Sequence, residues 1–297
     1  MLDNKELETL IAIVDEQSFD KAARQLNVSP GAVSQRVKSL ENRVGSTVLI
    51  RSTPPVTTET GKKVLAYARR LLLIHNEMEQ ALEDGHCSAA VPLTIAVNHD
   101  SLSCWFGDVV TRLAENTPYR FDIRASDTVT TQSLLKTGEV MAAVTSKANQ
   151  IAGCKSRYLG KLEYYAVCSQ DFYQRYFSDG VSSARLSKAP SLAFDHEDNL
   201  VSLFMQQEGH DSKTGITHYL PCSYSLLNAV KKGMGWTLVA KPLIDKFCDS
   251  DNIVILHTNA VYIDLYWNCW DQISSTMAKV EQHVLSVSRQ SLSFTRS

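Results

Sequence analysis

Residues 18–44, with the sequence SFDKAARQLNVSPGAVSQRVKSLENRV, constrain the fold of this chain more than any other segment. Apolar residues recur with helical spacing in both halves of the segment. They are Phe19, Ala22, Ala23 and Leu26 in the first half, and Val33, Val37, Leu40 and Val44 in the second. The spacing predicts two short helices joined by a tight turn.

The residues around these two helices fit such a turn. Ser18 and Ser29 have side chains that cap helix N-termini, and Pro30 suits a first helical position, where its missing N–H is not needed. Asn27 tolerates the left-handed conformation of a tight turn, and Gly45 is a typical C-terminal stop. This arrangement predicts a helix-turn-helix, the geometry that places a second helix in the DNA major groove.

The face of the second helix opposite its apolar residues is polar and basic. Gln can read adenine and Arg can read guanine, whereas Ser and Lys mostly hold phosphate. The following segment, STVLIRSTPPVTTETG, predicts a small wing in which Arg51 reaches the DNA backbone or a minor groove. The predicted DNA-contacting residues are Ser29, Pro30, Gly31, Ala32, Ser34, Gln35, Arg36, Lys38 and Arg51. An ordinary solvated helix face is the alternative for this set.

The charge distribution favours DNA as the partner. The whole chain is nearly neutral, with 30 Lys+Arg against 32 Asp+Glu. Residues 21–70, however, contain ten basic and two acidic residues. Such a local excess of positive charge indicates a polyanionic partner. A membrane surface is disfavoured because the segment lacks the bulky apolar stripe of an interfacial helix.

Length and composition limit the remaining classes. At 297 residues, two or three domains are expected. No apolar run approaches the roughly 18 residues of a membrane span, and the N-terminus MLDNKELETL has no signal-peptide pattern, so a cytoplasmic protein is expected. The seven cysteines are scattered without a CxxC pair, which predicts reduced thiols and no zinc site. No metal or cofactor is predicted.

A long helix is predicted from Thr58 to Glu83, followed by a hinge at residues 85–92, GHCSAAVP. Apolar positions in the helix approximate a heptad seam, which predicts pairing with a second copy of the chain. The seam residues are Val64, Ala68, Leu71, His75, Met78 and Leu82.

From Pro92 onward, strands and helices alternate, which predicts a mostly parallel α/β fold in two units with a ligand cleft. Strands are predicted at 93–97, 120–125, 140–145, 164–169, 191–194, 237–240 and 253–256. Helices are predicted near 101–116, 129–137, 171–177, 199–208, 224–232, 241–248 and 275–290.

Five stretches carry a resemblance to a known family: AARQLNVSPGAVSQRVKSLE, IRSTPPVTTETG, LTIAVNHDSL, TVTTQSLLKTGEVMAAV and AFDHEDN. Residues 2–60 resemble the winged helix-turn-helix of LysR-type transcriptional regulators, and the likeness extends over about residues 5–270. AVNHDSL and AFDHEDN make the chain similar to the lysine- and arginine-responsive branch, the arginine-export regulators. Many family members carry Gln at the start of the recognition helix, where this chain has Ser-Pro-Gly, so one DNA contact is expected to differ.

The resemblance implies an α+β winged helix-turn-helix (1–58, motif about 19–38) and a linker and dimerisation helix with its hinge (59–90). An α/β periplasmic-binding-protein-like effector domain (91–297) follows. Its subdomain I is expected at about 91–161 and 268–297, and its subdomain II at about 162–267. The implied function is a dimeric or tetrameric regulator of amino-acid export or metabolism genes. Its implied partners are a double-stranded DNA operator, RNA polymerase, and lysine or arginine as effector.

The effector residues are expected where the matched motifs follow strands. A helix N-terminus attracts the α-carboxylate of an amino acid, and acidic side chains suit its α-amino group and a basic side chain. Capping of local turns is the alternative for the same residue types. The predicted effector-binding residues are Asn98, Asp100, Ser101, Asp127, Thr128, Thr145, Ser146, Asp195 and His196.

Two other function classes remain as alternatives. An enzyme, with a hydrolase- or transferase-like C-terminal domain, would use Asp195 and His196 for acid–base chemistry. However, the chain has no GxSxG, HExxH or P-loop motif. A nucleoid-type protein that binds DNA without an effector is disfavoured, because it has no use for a large α/β part.

Overall fold

The structure is a computed structural model that describes residues 3–82, 92–116, 119–126, 128–148, 151, 153–210, 215–248, 252–271 and 274–294. The predicted hinge at 85–92 lies, except for the backbone of its last residue, outside the described residues. The chain forms two compact units. Unit 1 comprises Met1–Asn98, Val110–Arg157 and Trp267–His283, and unit 2 comprises His99–Val109, Tyr158–Tyr266 and Val284–Ser297.

Unit 1 begins with the predicted winged helix. Its elements are helices α1 (Asn4–Glu16), α2 (Phe19–Gln25) and α3 (Pro30–Val44), strands β1 (Leu49–Ile50) and β2 (Val56–Thr57), and the long helix α4 (Glu59–Leu82). β1 and β2 pair antiparallel and form the wing.

The turn chemistry predicted for the helix pair is confirmed. Ser18 and Ser29 accept backbone hydrogen bonds at the starts of α2 and α3, and Pro30 is the first residue of α3. Asn27 adopts a left-handed conformation with φ of 53°, and Gly45 ends α3 with φ of 74°. The local signals therefore set both helices and the angle between them.

The C-terminal part of unit 1 contains a parallel sheet in which β3 (Pro92–Asn98) pairs with both β4 (Arg120–Ser126) and β5 (Ala142–Thr145). The connecting helical segments are α5 (His99–Ser101, in unit 2), a π-helical turn (Leu102–Phe106), α6 (Gly107–Asn116) and α7 (Thr128–Lys136). Apolar residues of α7 and the sheet form its core, with Ala96, Leu135, Val140 and Ala143 buried.

Two long strands contribute residues to both units: β6 (Cys154–Ser169) and β11 (Val261–Trp270). The remaining elements are α8 (Gln170–Tyr176), α9 (Ser183–Leu186), β7 (Ser191–Ala193), α10 (Leu200–Gln207), β8 (Thr217–Tyr219), α11 (Ser223–Lys231), β9 (Thr237–Ala240), α12 (Lys241–Phe247), β10 (Ile253–Ile255) and α13 (Ser275–Ser291).

The pairing in unit 2 differs from the predicted mostly parallel sheet. β9 and β10 both pair antiparallel with β6, and Val167 of β6 is the partner of Thr237 on one side and Ile255 on the other. β9 and β10 therefore run in the same direction, as a strand–helix–strand unit requires, but the long strand β6 lies between them. β7 and β8 pair in parallel. No described helix is long and apolar enough to cross a membrane.

The apolar seam of α4 is also different from the predicted one. Ala68 is fully buried, and Val64 packs with it against the core of the winged helix. His75 is half-buried and its Nε2 lies 3.2 Å from Oε1 of Glu79. The exposed apolar stripe instead consists of Tyr67, Leu71, Ile74, Met78 and Leu82. The predicted seam combined residues of two different faces. Val64 and Ala68 pack on the winged-helix core, whereas Leu71, Met78 and Leu82 belong to the exposed stripe.

Candidate DNA-binding surface and effector site

One apolar face holds α3 against the winged-helix core. Val33, Val37 and Leu40 of this face are fully buried among residues of α1 and α2. On the opposite side, four exposed residues follow each other at intervals of four, three and four: Gly31, Gln35, Lys38 and Asn42. This outward stripe of α3 is available to a partner along its whole length. Asn42 was not among the predicted contacts, although its spacing from Lys38 would have found it.

A third side of α3 faces α1. Arg36 donates from Nη1 to Oγ1 of Thr9 at 3.4 Å. Ser39 donates to Oε1 of Glu6 at 2.6 Å, and Nε of Arg43 lies 3.4 Å from the same oxygen. The prediction placed Arg36 beside the base-reading face, but its position in the helical turn directs its guanidinium toward α1.

The N-terminal turn of α3 is open. Ser29, Pro30 and Gly31 are exposed, whereas Ala32 and Ser34 are half-buried. The hydroxyl of Ser29 accepts a hydrogen bond from the N–H of Ala32 at 3.2 Å. The start of α3 thus presents backbone and small side chains.

Arg51 follows β1 and is exposed. Its guanidinium carbon lies 5.6 Å from the centre of the Phe19 ring at the start of α2. This cation–π contact connects the wing to the helix pair. The basic excess of residues 21–70 is partly internal, because Arg69 is buried and Arg36 and Arg43 face α1.

The predicted effector residues of unit 1 have different surroundings. Asn98 ends β3, and its Oδ1 is buried with no hydrogen-bond partner among the described residues. Thr145 is fully buried, and its hydroxyl donates to the Lys147 carbonyl at 2.6 Å and accepts from Nδ2 of Asn268 at 2.8 Å. Thr145 therefore shapes its loop, and its role as a ligand contact stays a prediction.

The other predicted residues of unit 1 are less informative. Ser146 is half-buried, and the backbone of Thr128 begins α7. Asp127 lies outside the described residues.

In unit 2, Asp100 is the centre of a polar cluster. Its Oδ2 accepts from the Tyr164 hydroxyl at 2.7 Å, and its Oδ1 accepts from the Ser223 hydroxyl at 2.8 Å. Burial and the Asp100 charge raise the pKa of Tyr164 well above its ordinary value, so this phenol stays a donor. Ser101 is fully buried, and its hydroxyl has no partner among the described residues.

The AFDHEDN segment adds a second acidic residue to this cluster. The carboxylate of Asp198 accepts the N–H of Phe194 at 2.8 Å and that of Leu200 at 3.0 Å. Burial raises the pKa of the Asp198 carboxyl, and these two N–H groups act in the opposite direction. The negative charges of Asp100 and Asp195 add to the rise.

Asp195 and His196 are placed differently from Asp198. Asp195 caps its own turn, accepting the N–H groups of Glu197 at 2.8 Å and Asp198 at 3.0 Å. His196 is exposed and stacks on Tyr219 with 4.0 Å between ring centroids. Asp195 therefore caps its own turn, and its role as a ligand contact stays a prediction. Within the part of the chain that the structure describes, the side chains of Asp195 and His196 are not hydrogen-bonded to each other. They therefore do not form the acid–base pair that the enzyme alternative needs.

Three residues of this cluster were missed by sequence reasoning: Tyr164, Asp198 and Ser223. Asp198 is in a quoted motif, and its position before a helix was the available signal. Tyr164 and Ser223 had no such signal, because they lie 64 and 123 residues from Asp100 in the chain. No cluster of three or more His, Cys, Asp or Glu side chains suited to a metal occurs within the described ranges.

Both parts of the chain match models of known protein families. Residues 4–62 match the family model described as bacterial regulatory helix-turn-helix protein, lysR family. Residues 88–277 match the family model described as LysR substrate binding domain.

The chain is similar to transcriptional regulators over nearly their full lengths. The chain is 35% identical to HTH-type transcriptional regulator LysG of Mycobacterium tuberculosis (strain ATCC 25618 / H37Rv), covering 95% of this chain and 92% of that protein. It is 32% identical to HTH-type transcriptional regulator ArgP of Vibrio vulnificus (strain YJ016), covering 96% of each.

Two solved structures are similar along the whole chain. The crystal structure of ArgP from Mycobacterium tuberculosis has a TM-score of 0.84 and 32% identity, covering 99% of this chain and 100% of that one. Full-length LysG from Corynebacterium glutamicum with bound effector Arg has a TM-score of 0.76 and 31% identity, covering 98% and 99%.

Proposed function

Because the chain belongs to the LysR family of bacterial transcriptional regulators, we propose that it reads operator DNA with α3 and responds to a basic amino acid. Its membership in a family of regulators, together with the unformed acid–base pair, sets the enzyme alternative aside. The observation that carries the effector class is the cluster of Asp100, Asp195 and Asp198, supported by the similar LysG structure with bound Arg.

The proposed DNA surface is the outward stripe of α3 with its N-terminal turn and the wing. Gln35 lies at the centre of the stripe and is suited to read adenine in the major groove. Lys38, Ser34 and Arg51 contact phosphates and set the register. The turn of Ser29, Pro30, Gly31 and Ala32 approaches the backbone closely because its side chains are small. Arg36 is left out of the base-reading set because it faces α1.

The DNA proposal is tested by competition between operator variants. Gln35→Ala should reduce discrimination at one base pair by about 1–3 kcal/mol. Lys38→Ala is the matched comparison: it should weaken binding to all sequences alike and lower the salt slope by about one. Unchanged discrimination in Gln35→Ala would remove Gln35 from the base-reading set.

The proposed effector contacts follow from unpaired and crowded polar groups. Burial, and then the negative charges of Asp100 and Asp195, raise the pKa of Asp198, and a bound cation would offset both effects. The buried hydroxyl of Ser101 and the buried Oδ1 of Asn98 lack protein partners among the described residues, and such groups are normally satisfied by a ligand or water. Lysine and arginine supply the cations and donors that these groups need.

The effector proposal is tested by calorimetry with lysine, arginine, leucine and glutamate. A basic amino acid should bind, and Asp198→Asn should weaken it about 30-fold or more, since a buried charge pair loses one partner. Asp245→Asn removes an exposed carboxylate of unit 2 that pairs with Lys241, and it should leave binding unchanged. If no amino acid binds, or none changes operator affinity, the effector-independent DNA-binding alternative is favoured.

Two copies are proposed to pair through the exposed stripe of α4. A row of five large apolar side chains on one helix face is typical of a coiled-coil contact. Ile74→Glu should then convert the dimer to a monomer in light scattering, whereas Lys63→Glu, exposed on the same helix, should not. An unchanged dimer in Ile74→Glu would contradict the pairing.

We also propose a role for each segment of the chain. The winged helix (1–58) binds the operator, residues 59–90 link and dimerise, and 91–297 bind the effector. Two dimers associate through their effector-binding parts, and the assembly contacts RNA polymerase in the cytoplasm. A DNase footprint with and without the effector would test whether the spacing of the two recognition helices changes.

A further inference from the structure

A buried group of charges in unit 1 connects the winged helix to the rest of its own chain. Asp15, in the last turn of α1, accepts two hydrogen bonds from the guanidinium of Arg69 on α4. The same carboxylate accepts from Nη2 of Arg124 on β4 at 2.7 Å. One acidic side chain of the winged helix is thus held by two arginines, one from the linker helix and one from the effector-binding sheet.

Arg69 is the centre of this group, and it is only 4% exposed. Besides Asp15, its Nε donates to the carbonyl of Gly138 at 3.0 Å, and its Nη1 donates to Oγ1 of Thr94 on β3 at 3.4 Å. The planar fork of one arginine therefore bridges α1, β3 and the turn after α7. A lysine has no comparable set of donors in fixed directions.

The turn after α7 touches the backbone of α4. Gly138 has φ of 73°, and a Cβ there would lie 2.5 Å from Cβ and 2.6 Å from Cα of Ala66. Only glycine permits this approach without displacement of one segment. The linker helix is therefore seated directly on the end of α7.

α7 connects Gly138 with Thr128, a residue predicted from the sequence to bind the effector. The helix begins at Thr128 and ends at the turn that contains Gly138. Arg124 lies two residues before Ser126, the last residue of β4, and Ser126 and Thr131 join β4 to α7 by a 2.8 Å contact between their hydroxyls. α7 and the end of β4 thus join Thr128 to Gly138, whose carbonyl accepts from Arg69, and to Arg124.

We propose that the cluster of Asp15, Arg69 and Arg124 is a positioning device that couples the effector state to the placement of the winged helix within one chain. The cluster holds the winged helix against its own effector-binding sheet in one of two arrangements. Effector binding at the start of α7 changes how well Gly138 and Arg124 fit α4 and Asp15. The proposal rests on the effector response proposed above and names the residues that transmit it.

The charges make this contact selective for one arrangement. Asp15 and Asp122 raise the pKa of Arg124 against the opposing effect of burial, so the guanidinium stays charged when docked. Without Asp15, Arg69 would remain buried beside Arg124 with no carboxylate from α1. Loss of one partner of a buried charge pair is strongly unfavourable, because the other charge is left buried without compensation.

A second buried carboxylate supplies a control that also has two cationic partners, although Lys155 is 34% and Arg157 is 58% exposed. Glu281 on α13 pairs with Nζ of Lys155 and Nε of Arg157, each at 2.9 Å, and all three residues belong to the effector-binding part. Glu281→Gln also leaves two cations without a carboxylate. Among the described residues, the hydrogen bonds and ion pairs of Glu281 do not involve the winged helix or α4.

The test measures operator affinity of the full chain with and without arginine, and the ratio gives the coupling. Ratios of roughly five- to 150-fold are typical of allosteric coupling. Asp15→Asn should bring the ratio to about one while arginine still binds by calorimetry, and Asp15→Glu should keep part of it. Glu281→Gln should keep the wild-type ratio.

Gly138→Ala is a second variant that acts through sterics rather than charge. It should also abolish the coupling, and hydrogen exchange should rise in α1 and α4 but not in α13. If Asp15→Asn or Gly138→Ala keeps the wild-type ratio, the proposal is wrong. If Glu281→Gln loses the ratio as well, the effect is general destabilisation and the assignment to this cluster is also wrong. If arginine and lysine change nothing in the wild type, it is the effector proposal that fails, and the exchange measurement alone then decides whether the cluster docks the winged helix.

Discussion

α1 carries a carboxylate near each end, Glu6 buried and Asp15 partly buried, and the two serve different parts of the molecule. Glu6, near its start, accepts from Ser39 and contacts Arg43, both on α3. Asp15, near its end, is bound by Arg69 and by a second arginine from the effector-binding sheet. The same helix therefore fixes the recognition helix from one end and attaches the whole winged helix from the other.

The two carboxylates differ in what their loss would leave behind. The partners of Glu6 are the Ser39 hydroxyl, the N–H of Asp3 at the start of α1, and the Arg43 side chain, which is 43% exposed and keeps its hydration. The chief partner of Asp15 is Arg69, which is almost completely buried. Burial of the partner, rather than burial of the acid itself, should decide how large each effect is.

The largest effect is expected for Asp15→Ala. It leaves the Arg69 guanidinium buried beside Arg124, and removal of one partner of a buried pair typically lowers the free energy of unfolding by about 3–5 kcal/mol. Urea unfolding should show the loss, and the double variant Asp15→Ala, Arg69→Met should recover much of it. A loss in Asp15→Ala below about 1 kcal/mol would make the Asp15 contact a peripheral ion pair.

A smaller effect is expected for Glu6→Ala. The hydroxyl of Ser39 loses its acceptor, and such a change typically lowers the free energy of unfolding by about 1–3 kcal/mol. Because Ser39 lies on α3, operator affinity should fall while effector affinity stays the same. A loss as large as that of Asp15→Ala would show that burial of the partner is not the deciding factor.

The linker helix offers a third carboxylate for the comparison. Glu77 on α4 accepts from the Ser274 hydroxyl at 2.6 Å and from the Thr276 N–H at 2.8 Å at the start of α13. Partial burial acts to raise the pKa of Glu77, but these hydrogen bonds together lower it below its ordinary value of 4.5. The folded state therefore favours the charged form.

The lowered pKa sets the sign of a pH effect. The contribution of Glu77 to stability is fully present above about pH 4.5, the unfolded value, and is lost as pH falls through the lower folded value. Between those two values, Glu77→Gln should flatten the pH dependence of unfolding. An unchanged pH profile in Glu77→Gln would mean that the contact between α4 and α13 does not depend on the charge.

The winged helix was predictable because its signals are local. Asn27 and Gly45 each set the backbone at one turn, and Ser18 and Ser29 each bind an N–H three residues away. These features need no information from distant parts of the chain.

The contacts that join the parts of the chain were not predictable in this way. Asp15 is 54 residues from Arg69 and 109 from Arg124, and nothing local distinguishes it from a solvated residue at a helix end. The start of β6 was missed because Lys155, Arg157 and Lys161 interrupt its apolar pattern. β11 was missed because its alternation of exposed and buried residues depends on strand partners that only the fold supplies.

The smallest effects are expected for the serines that cap α2 and α3. Comparing the two serines distinguishes a loss of stability from a loss of DNA contact. Ser29 and Ser18 cap α3 and α2 with the same chemistry, at 3.2 and 3.3 Å. Replacing either with Ala should lower the free energy of unfolding by about 1 kcal/mol, because one N–H at the start of the helix loses its acceptor. Only Ser29 lies on the proposed DNA surface, so Ser29→Ala should also weaken operator binding, and Ser29→Thr should restore the cap. Equal operator affinity in Ser29→Ala and Ser18→Ala would mean that the start of α3 acts only as a helix cap, and that the outward stripe from Gln35 onward carries the contact with DNA.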